Sequence, residues 1–298
     1  MSNFIGGITG DIIGSAYEWH NATDVKRIIF FRDGSRYTDD TVLTCAVASW
    51  LIKSNGLKGL KEKESLEILS NELLRFGKAH PYAGYGHMFR DWMNLPEQKP
   101  MGSYGNGAGM RVSPVGFFAE TEDECLRLAE WSAKVTHDHP EGIKGAQAIA
   151  LAIYLARRGE IKDYIKKRIE DKFGYNLNHE VEDYFTLDGD NIVARAHKFD
   201  ATCQTTVPEA IVAFLCSKSY SETITNALKI GGDSDTIADM AGAIAAAYYG
   251  MPQYIAEQAM SYLPKDLFDV VVEFENELLE KRRKTDKYIE VNATEQID

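Results

Sequence analysis

Two short runs place acids where helices begin. Tyr37-Thr38-Asp39-Asp40-Thr41 stands directly before an apolar segment, and Gly231-Gly232-Asp233-Ser234-Asp235-Thr236 opens an Ala-rich one. A Thr or Asp N-cap and one acid in the first turn are ordinary features of a helix start. Two adjacent carboxylates flanked by two hydroxyls exceed what a cap needs. Thr38, Asp39, Asp40 and Thr41 offer four side-chain oxygen groups in four residues, a donor set suited to hard divalent cations such as Mg²⁺ and Mn²⁺. In the second run two glycines make the turn permissive, and the aspartates straddle it at i, i+2. Taken singly, capping and loop formation account for each run. A third segment carries Gly6, Gly10, Gly14 and Glu18 at four-residue intervals, hence on one helix face. Asp11 is seven residues from Glu18, within about 20° of it around the axis. Tight packing through a small-residue face, with Glu18 solvated at the helix end, explains this segment without chemistry. If Glu18, Asp39, Asp40, Asp233 and Asp235 converged, they would repel strongly unless cations neutralised them. Two divalent ions nearly balance the set, four positive charges against five negative.

A fourth segment, Gly102-Ser103-Tyr104-Gly105-Asn106-Gly107-Ala108-Gly109, frees backbone N–H groups just before a helix, which makes an anion or diphosphate cradle. It lacks the GK[ST] of a phosphate-binding P-loop and no strand precedes it, and a plain flexible connector reads equally well. In Thr136-His137-Asp138-His139-Pro140 the two histidines at i, i+2 have no Cys or third His near them in sequence. His137 is read as a ligand-contacting or helix-capping side chain rather than a transition-metal ligand. His20, His80, His87, His179 and His197 have no such setting and are read as surface or hydrogen-bonded core residues.

The elements that must position these residues are helices. Helical spacing of small and apolar residues marks 4–19, 41–53 and 62–79, the last with Leu66, Leu69, Leu73 and Phe76 on one face. Thr121 and Glu124 form a capping box that opens 122–134. Pro140 starts 141–158, which Gly159 ends, and 160–173 closes at Gly174. Pro208 opens 208–218, Ser221 caps 222–230, Thr236–Tyr249 is Ala-rich, and the last long helix spans about 264–283. Residues 192–195 are the one candidate strand. No linker, repeat or composition shift marks a boundary, so a single all-α domain over 1–283 with a polar, frayed tail at 284–298 is expected.

Composition narrows the function classes. The 298 residues carry 33 Lys+Arg against 45 Asp+Glu, a net charge of −12, which disfavours holding a nucleic acid by bulk charge. The most apolar stretch, 241–251, is about half of the ~20 residues a membrane span needs. The first residues lack a basic region and carry Asp11 early, unlike an export signal. Cys45, Cys125, Cys203 and Cys216 have no zinc spacing and are expected as reduced core residues of a cytoplasmic protein.

In this order, GDIIGSAYE, YTDDT, GYGHMFRDW, GNGAGMRVSPVG, THDHPEGIKGA, CQTTVPEAIVAF and GGDSDTIADMAGAIAAAYYG resemble the ADP-ribosylglycohydrolase family, the group that includes the dinitrogenase reductase-activating glycohydrolase. The match runs from Gly6 to Pro252. The resemblance implies a compact all-α bundle and a binuclear Mg²⁺ or Mn²⁺ centre. Thr38, Asp39 and Asp40 resemble the family's first metal-binding triplet, and Asp233, Asp235 and Thr236 the second. Glu18 resembles the acidic residue near the metals, and Glu18 and Asp40 are the expected catalytic carboxylates. Gly105, Asn106 and Gly107 resemble the diphosphate-binding loop, and His137 a ligand-contacting histidine. Asp11 and Arg111 match family positions, with structural support and ligand contact both open. No role is mapped onto His139. The implied reaction is metal-dependent hydrolysis at C1″ of the distal ribose in an ADP-ribosylated protein or small ADP-ribosyl compound, with arginine linkage favoured. A silent ADP-ribose binder on the same fold and a different two-metal hydrolase, such as a phosphodiesterase, are the rival readings.

Overall fold

In the computed structural model, which describes residues 3–54, 59, 61–196 and 198–295 (backbone alone from 284), the chain is built around one helix pair. α1 (Ile5–Gly14) is buried along its whole length, and α11 (Ser234–Tyr249) is buried as far as Ala246. A Cβ placed on Gly6 would strike Ala246 Cβ; on Gly10, the Ala238 carbonyl oxygen; on Gly14, the Ser234 carbonyl oxygen. These contacts step backwards along α11, from Ala246 to Ala238 to Ser234, as the glycines advance along α1. The two helices therefore run antiparallel with their backbones in contact. α11 contributes its own small residue, since a Cβ on Gly242 would lie 2.6 Å from the Gly6 oxygen. The end of α1 thus meets the start of α11, where the second acidic run lies.

Other helices wrap this pair. α2 (Asp39–Lys53) packs against α3 (Glu62–Ala79), α5 (Ser113–Phe118) and α13 (Lys265–Glu295). α7 (Pro140–Arg157) lies against α6 (Glu122–Lys134), α9 (Cys203–Leu215) and α11, while α10 (Tyr220–Ile230) touches α9 and α11. α4 (His87–Met93), α8 (Lys162–Phe173) and α12 (Gln253–Met260) complete the set of thirteen α-helices among the described residues. Among the described residues a single hairpin, β1 (Phe185–Asp188) with β2 (Asn191–Arg195), is antiparallel and carries a register irregularity between Thr186 and Leu187. The architecture is all-α, as the sequence predicts. None of the described helices is long and apolar enough to cross a membrane. The four cysteines are unpaired, three of them buried.

Several boundaries differ from expectation for identifiable reasons. α1 ends at Gly14, not 19, so Glu18 leaves the helical row and lies in the turn that follows. Pro208 lies inside α9 rather than at its start, because the Thr202 carbonyl already accepts the Thr206 N–H at 3.0 Å. Ser219, not Ser221, caps α10 by accepting from Glu222 N at 3.2 Å. Thr121 caps α6 through Glu124 N at 3.1 Å, but the Glu124 carboxylate accepts from Glu120 N instead of closing a box onto Thr121. α13 continues as helix to Glu295 through most of the segment expected as a frayed tail. His197 lies outside the described residues. His80 is hydrogen-bonded to Asp266 at 2.8 Å.

The glycine contact yields a stability test. Gly10→Ala forces a methyl into the Ala238 carbonyl, and because backbone cannot yield as a side chain can, destabilisation of about 3 kcal/mol is expected. Urea unfolding followed by circular dichroism measures it, and an unchanged midpoint would show that α1 is not seated against α11 as described.

Candidate metal centre and ligand cleft

The antiparallel pair brings Glu18, just past α1, to Asp233 and Asp235 at the start of α11. One carboxylate oxygen from each lies within 4.8 Å of the other two. Asp39 and Asp40, in the first turn of α2, line the same cavity of about 640 Å³, as does Thr236. The sequence-predicted acids therefore converge on one cleft. Its volume is within the range of small-ligand sites.

Asp11 holds the first run in place. Its buried carboxylate accepts from Thr38 N at 2.9 Å, Thr38 Oγ1 at 2.7 Å, Thr41 N at 3.1 Å and Thr41 Oγ1. Four donors from one turn pin α2 to α1, and this is structural support. Thr38, predicted as a metal ligand, is committed to this network and to capping Asp40 N at 3.2 Å, and it is not among the cavity's lining residues. The second run is held from outside α11. Asn21 Oδ1 accepts from Gly232 N at 2.8 Å. Arg195 of β2 donates to the carbonyls of Lys229, Ile230 (2.7 Å) and Ala22 (2.7 Å). These contacts fix the Gly231-Gly232 turn, whose φ values of 72° and 80° need glycine. Sequence reading passes over Asn21 and Arg195, because neither stands in a motif and their partners are backbone atoms distant in the chain.

Burial, reinforced by Asp233, pushes Glu18 up to about 7, while Arg36 pulls in the opposite direction. Burial, then Asp11, takes Asp39 up to about 8. Asp40 and Asp235 are driven well above the usual carboxylate range, chiefly by burial and then by neighbouring acids. Asp40 Oδ1 and Asp235 Oδ1 are buried without a hydrogen-bond partner. A buried acceptor without a donor is unfavourable, and an all-oxygen acidic set with two such atoms fits hard divalent cations.

The glycine loop joins this centre directly, since Asn106 Nδ2 donates to Asp233 Oδ2 at 2.7 Å. Gly105 and Gly107 also line the cleft. Behind the loop, Arg111 Nη2 donates to Ser132 O at 2.8 Å and to Thr136 Oγ1 at 2.7 Å. Arginine only donates, so the Thr136 hydroxyl accepts from it and directs its own proton to His137 Nδ1, 2.7 Å away. The His137 ring proton is thereby assigned to Nε2. Burial, with Arg111 nearby, drives the His137 pKa well below its usual value, so the ring is neutral. Nε2 lies 3.1 Å from where a Gly107 Cβ would be, making it a neutral donor against the cradle. His139 is the capping histidine of the pair: its Nδ1 accepts from Glu141 N at 3.1 Å at the start of α7.

The acid cluster ties stability to pH and cations. Without cations, the raised carboxyls keep protons that the unfolded chain releases in the ordinary range near 4. Their stabilising contribution is therefore complete below that range and is lost as pH rises through about 7 for Glu18 and about 8 for Asp39. In EDTA, Tm is expected to fall between about pH 5 and pH 8. In Mn²⁺, the gap over EDTA is expected to widen across the same interval. A Tm that rises with pH in EDTA would contradict the description of these groups.

The ADP-ribosylglycohydrolase family model matches residues 3–287. The chain is 28% identical to ADP-ribosylhydrolase ARH3 of Homo sapiens over 315 residues, covering 83% of this chain and 84% of that protein. It is 29% identical to ADP-ribosylhydrolase ARH3 of Xenopus tropicalis, covering 84% of this chain and 87% of that protein. A shorter match, 25% identical over 55% of this chain and 46% of the relative, is to ADP-ribosylarginine hydrolase Tri1 of Pseudomonas putida (strain GB-1). A solved structure described as an ADP-ribosylglycohydrolase-related protein complex shares the fold, with a TM-score of 0.64, 21% identity, and coverage of 92% of this chain and 95% of that one. With that family match over nearly its whole length and the acidic motifs gathered in one cleft, the chain belongs to the ADP-ribosylglycohydrolase family.

Proposed function

We propose that this protein is a cytoplasmic ADP-ribosyl hydrolase that uses two divalent cations, Mg²⁺ or Mn²⁺, to cleave the C1″ glycosidic bond of ADP-ribosylated protein side chains or small ADP-ribosyl compounds. Arginine is the favoured linkage, and free ADP-ribose is the product. The observation that carries this reading is the bond from Asn106 to Asp233, which joins an anion-cradling loop to the acid cluster within one cavity. A diphosphate laid on the loop would place the ribose attached to it beside the carboxylates. His137 Nε2–H is a neutral donor at this end of the cleft. Arg111, buried behind Thr136 with Nε and Nη1 unpartnered, adds positive charge there. Asp39, Asp40, Asp233, Asp235 and Thr236 would hold the cations. When bound, the cations supply charge neutralisation and Lewis acidity at the ribose hydroxyls. Glu18, whose carboxylate stands beside Asp233 and Asp235, takes the proton of the attacking water. Its carboxylate also stabilises the positive charge that develops at C1″ as the leaving group departs. The unpaired cysteines are consistent with a reducing compartment.

Release of free ADP-ribose from arginine-linked and serine-linked peptides, in Mg²⁺, Mn²⁺ or EDTA, is the test. Cation-dependent release with the diphosphate intact is expected. Release of phosphate would favour the phosphodiesterase alternative, and ADP-ribose binding without turnover would favour a silent binder. Asp235→Ala is expected to lower cation-stimulated turnover by more than about a hundredfold with helical circular dichroism preserved. Normal turnover in that variant would remove Asp235 from the centre. Thr136→Val keeps the side-chain shape but breaks the link to His137, and a Kd for ADP-ribose raised about tenfold is expected by calorimetry. An unchanged Kd would show that the His137 tautomer does not matter to the ligand.

A further inference from the structure

Trp19 and Phe199 stack face to face at the cleft, with centroids 5.1 Å apart and planes 14° from parallel. Both line the cavity, yet Trp19 is 68% and Phe199 45% exposed. Two large aromatic side chains kept in solvent beside a polar site are an unusual expense for a folded chain, and such patches mark binding surfaces. Their place along the cleft follows from backbone pairing. Cys203 N donates to Tyr104 O at 3.0 Å, Gly105 pairs with Thr202, and Asn106 N donates to Ala201 O at 2.8 Å. This antiparallel run sets Ala201 against Asn106, whose side chain donates to Asp233, and Phe199 stands two residues beyond, on the side away from Tyr104. Trp19 directly follows Glu18, and an interaction with it pulls the Glu18 pKa down against burial. The stack therefore flanks the carboxylates, at the opposite end of the glycine loop from Tyr104.

The geometry points to Trp19 and Phe199 as the subsite for the leaving group, and to a planar cation, a guanidinium, as its occupant. This inference rests on the hydrolase reading proposed above. With the diphosphate on the glycine loop and C1″ beside Glu18, the group bonded to C1″ extends to the aromatic side. A guanidinium lies flat on an indole face more favourably than a neutral hydroxyl or amide does, because its charge meets the ring's negative face. Hydrolysis would then proceed as water oxygen bonds to C1″, the C1″–N bond breaks with its electron pair going to the guanidine nitrogen, and the water proton ends on the leaving group.

Trp19→Ala and Phe199→Ala are the variants, with Trp19→Tyr as the conservative replacement. For arginine-linked peptides, kcat/KM is expected to fall about tenfold in the alanine variants, mostly through KM, the size of one well-placed cation–π contact. Trp19→Tyr should recover most of it. Affinity for ADP-ribose, which has no leaving group, is expected to stay within about twofold of wild type. Equal losses for serine-linked peptides, or a matching loss of ADP-ribose affinity, would overturn the assignment. An activity-independent measurement separates failure of this subsite from failure of the reaction. Agmatine titrated into ADP-ribose-saturated protein should quench a tryptophan signal that Trp19→Tyr abolishes, while a ureido analogue should not. If agmatine and the neutral analogue behave alike, the guanidinium subsite is wrong even where ADP-ribose is released. If no substrate is hydrolysed but agmatine quenches selectively, the subsite stands and the proposed reaction falls.

Discussion

The contact between α1 and α11 is the constraint on which the centre depends. Only glycine at positions 6, 10 and 14 lets one helix backbone touch the other, and a single methyl at any of them would collide with α11. Close, antiparallel packing fixes the angular and axial position of the two helices far more tightly than interdigitated large side chains would. It also fixes what lies at the junction. Glu18 follows the end of α1, and Asp233 and Asp235 begin α11, so the approach of the backbones sets the spacing of their carboxylates. Asp11 extends the same frame to α2 by taking the N–H and hydroxyl of both Thr38 and Thr41. Three chain segments distant in sequence become one site through a row of missing side chains and one buried carboxylate.

The site works against its own fold. Acids in the first turns of α2 and α11 gain from the helix dipoles, but only by a fraction of the repulsion among buried neighbours. The carboxyls respond by holding protons when nothing else neutralises them, which is why their pKa values rise together and why burial, not any single neighbour, leads in each. A cation that binds the folded state alone would relieve this tension and stabilise the protein by mass action. Asp40 and Asp235, each with an oxygen lacking any donor, are positions where that relief is most needed.

Much of the fold is legible in the sequence where a physical signal is local. The amphipathic face of 62–79 and the Thr121 cap of 122–134 fall where the helices do, because periodicity and capping act within one element. Errors arise where tertiary contacts decide. The start of α9 is set by pairing with the glycine loop, so Pro208 does not mark it. The end of α1 is set by the turn that delivers Glu18, not by its four-residue rhythm. At the site, the acids and the glycine loop are readable as types and spacings, but their convergence depends on the α1–α11 contact. Arg195 and Asn21 are invisible to motif reading because they act on backbone far away in the chain, and the Thr136 link to His137 takes its direction from the distant Arg111.

The two ends of the cleft divide the problem of handling an anion beside a cluster of acids. At the acid end, net negative charge would repel a diphosphate, so the ligand must be held elsewhere and by groups that need no counter-ion. The glycine loop lines that end, and the Arg111–Thr136–His137 chain adds a neutral donor whose proton position is dictated by Arg111 through Thr136. A charged histidine there would be drawn into the acids' field and would titrate with it. A neutral one, fixed in tautomer by a hydroxyl that an arginine obliges to donate, keeps the same hydrogen bond across the pH range in which the acids change charge. Asn106, touching Asp233 from the loop, is then the hinge between an end of the cleft built to be indifferent to pH and an end built to respond to it.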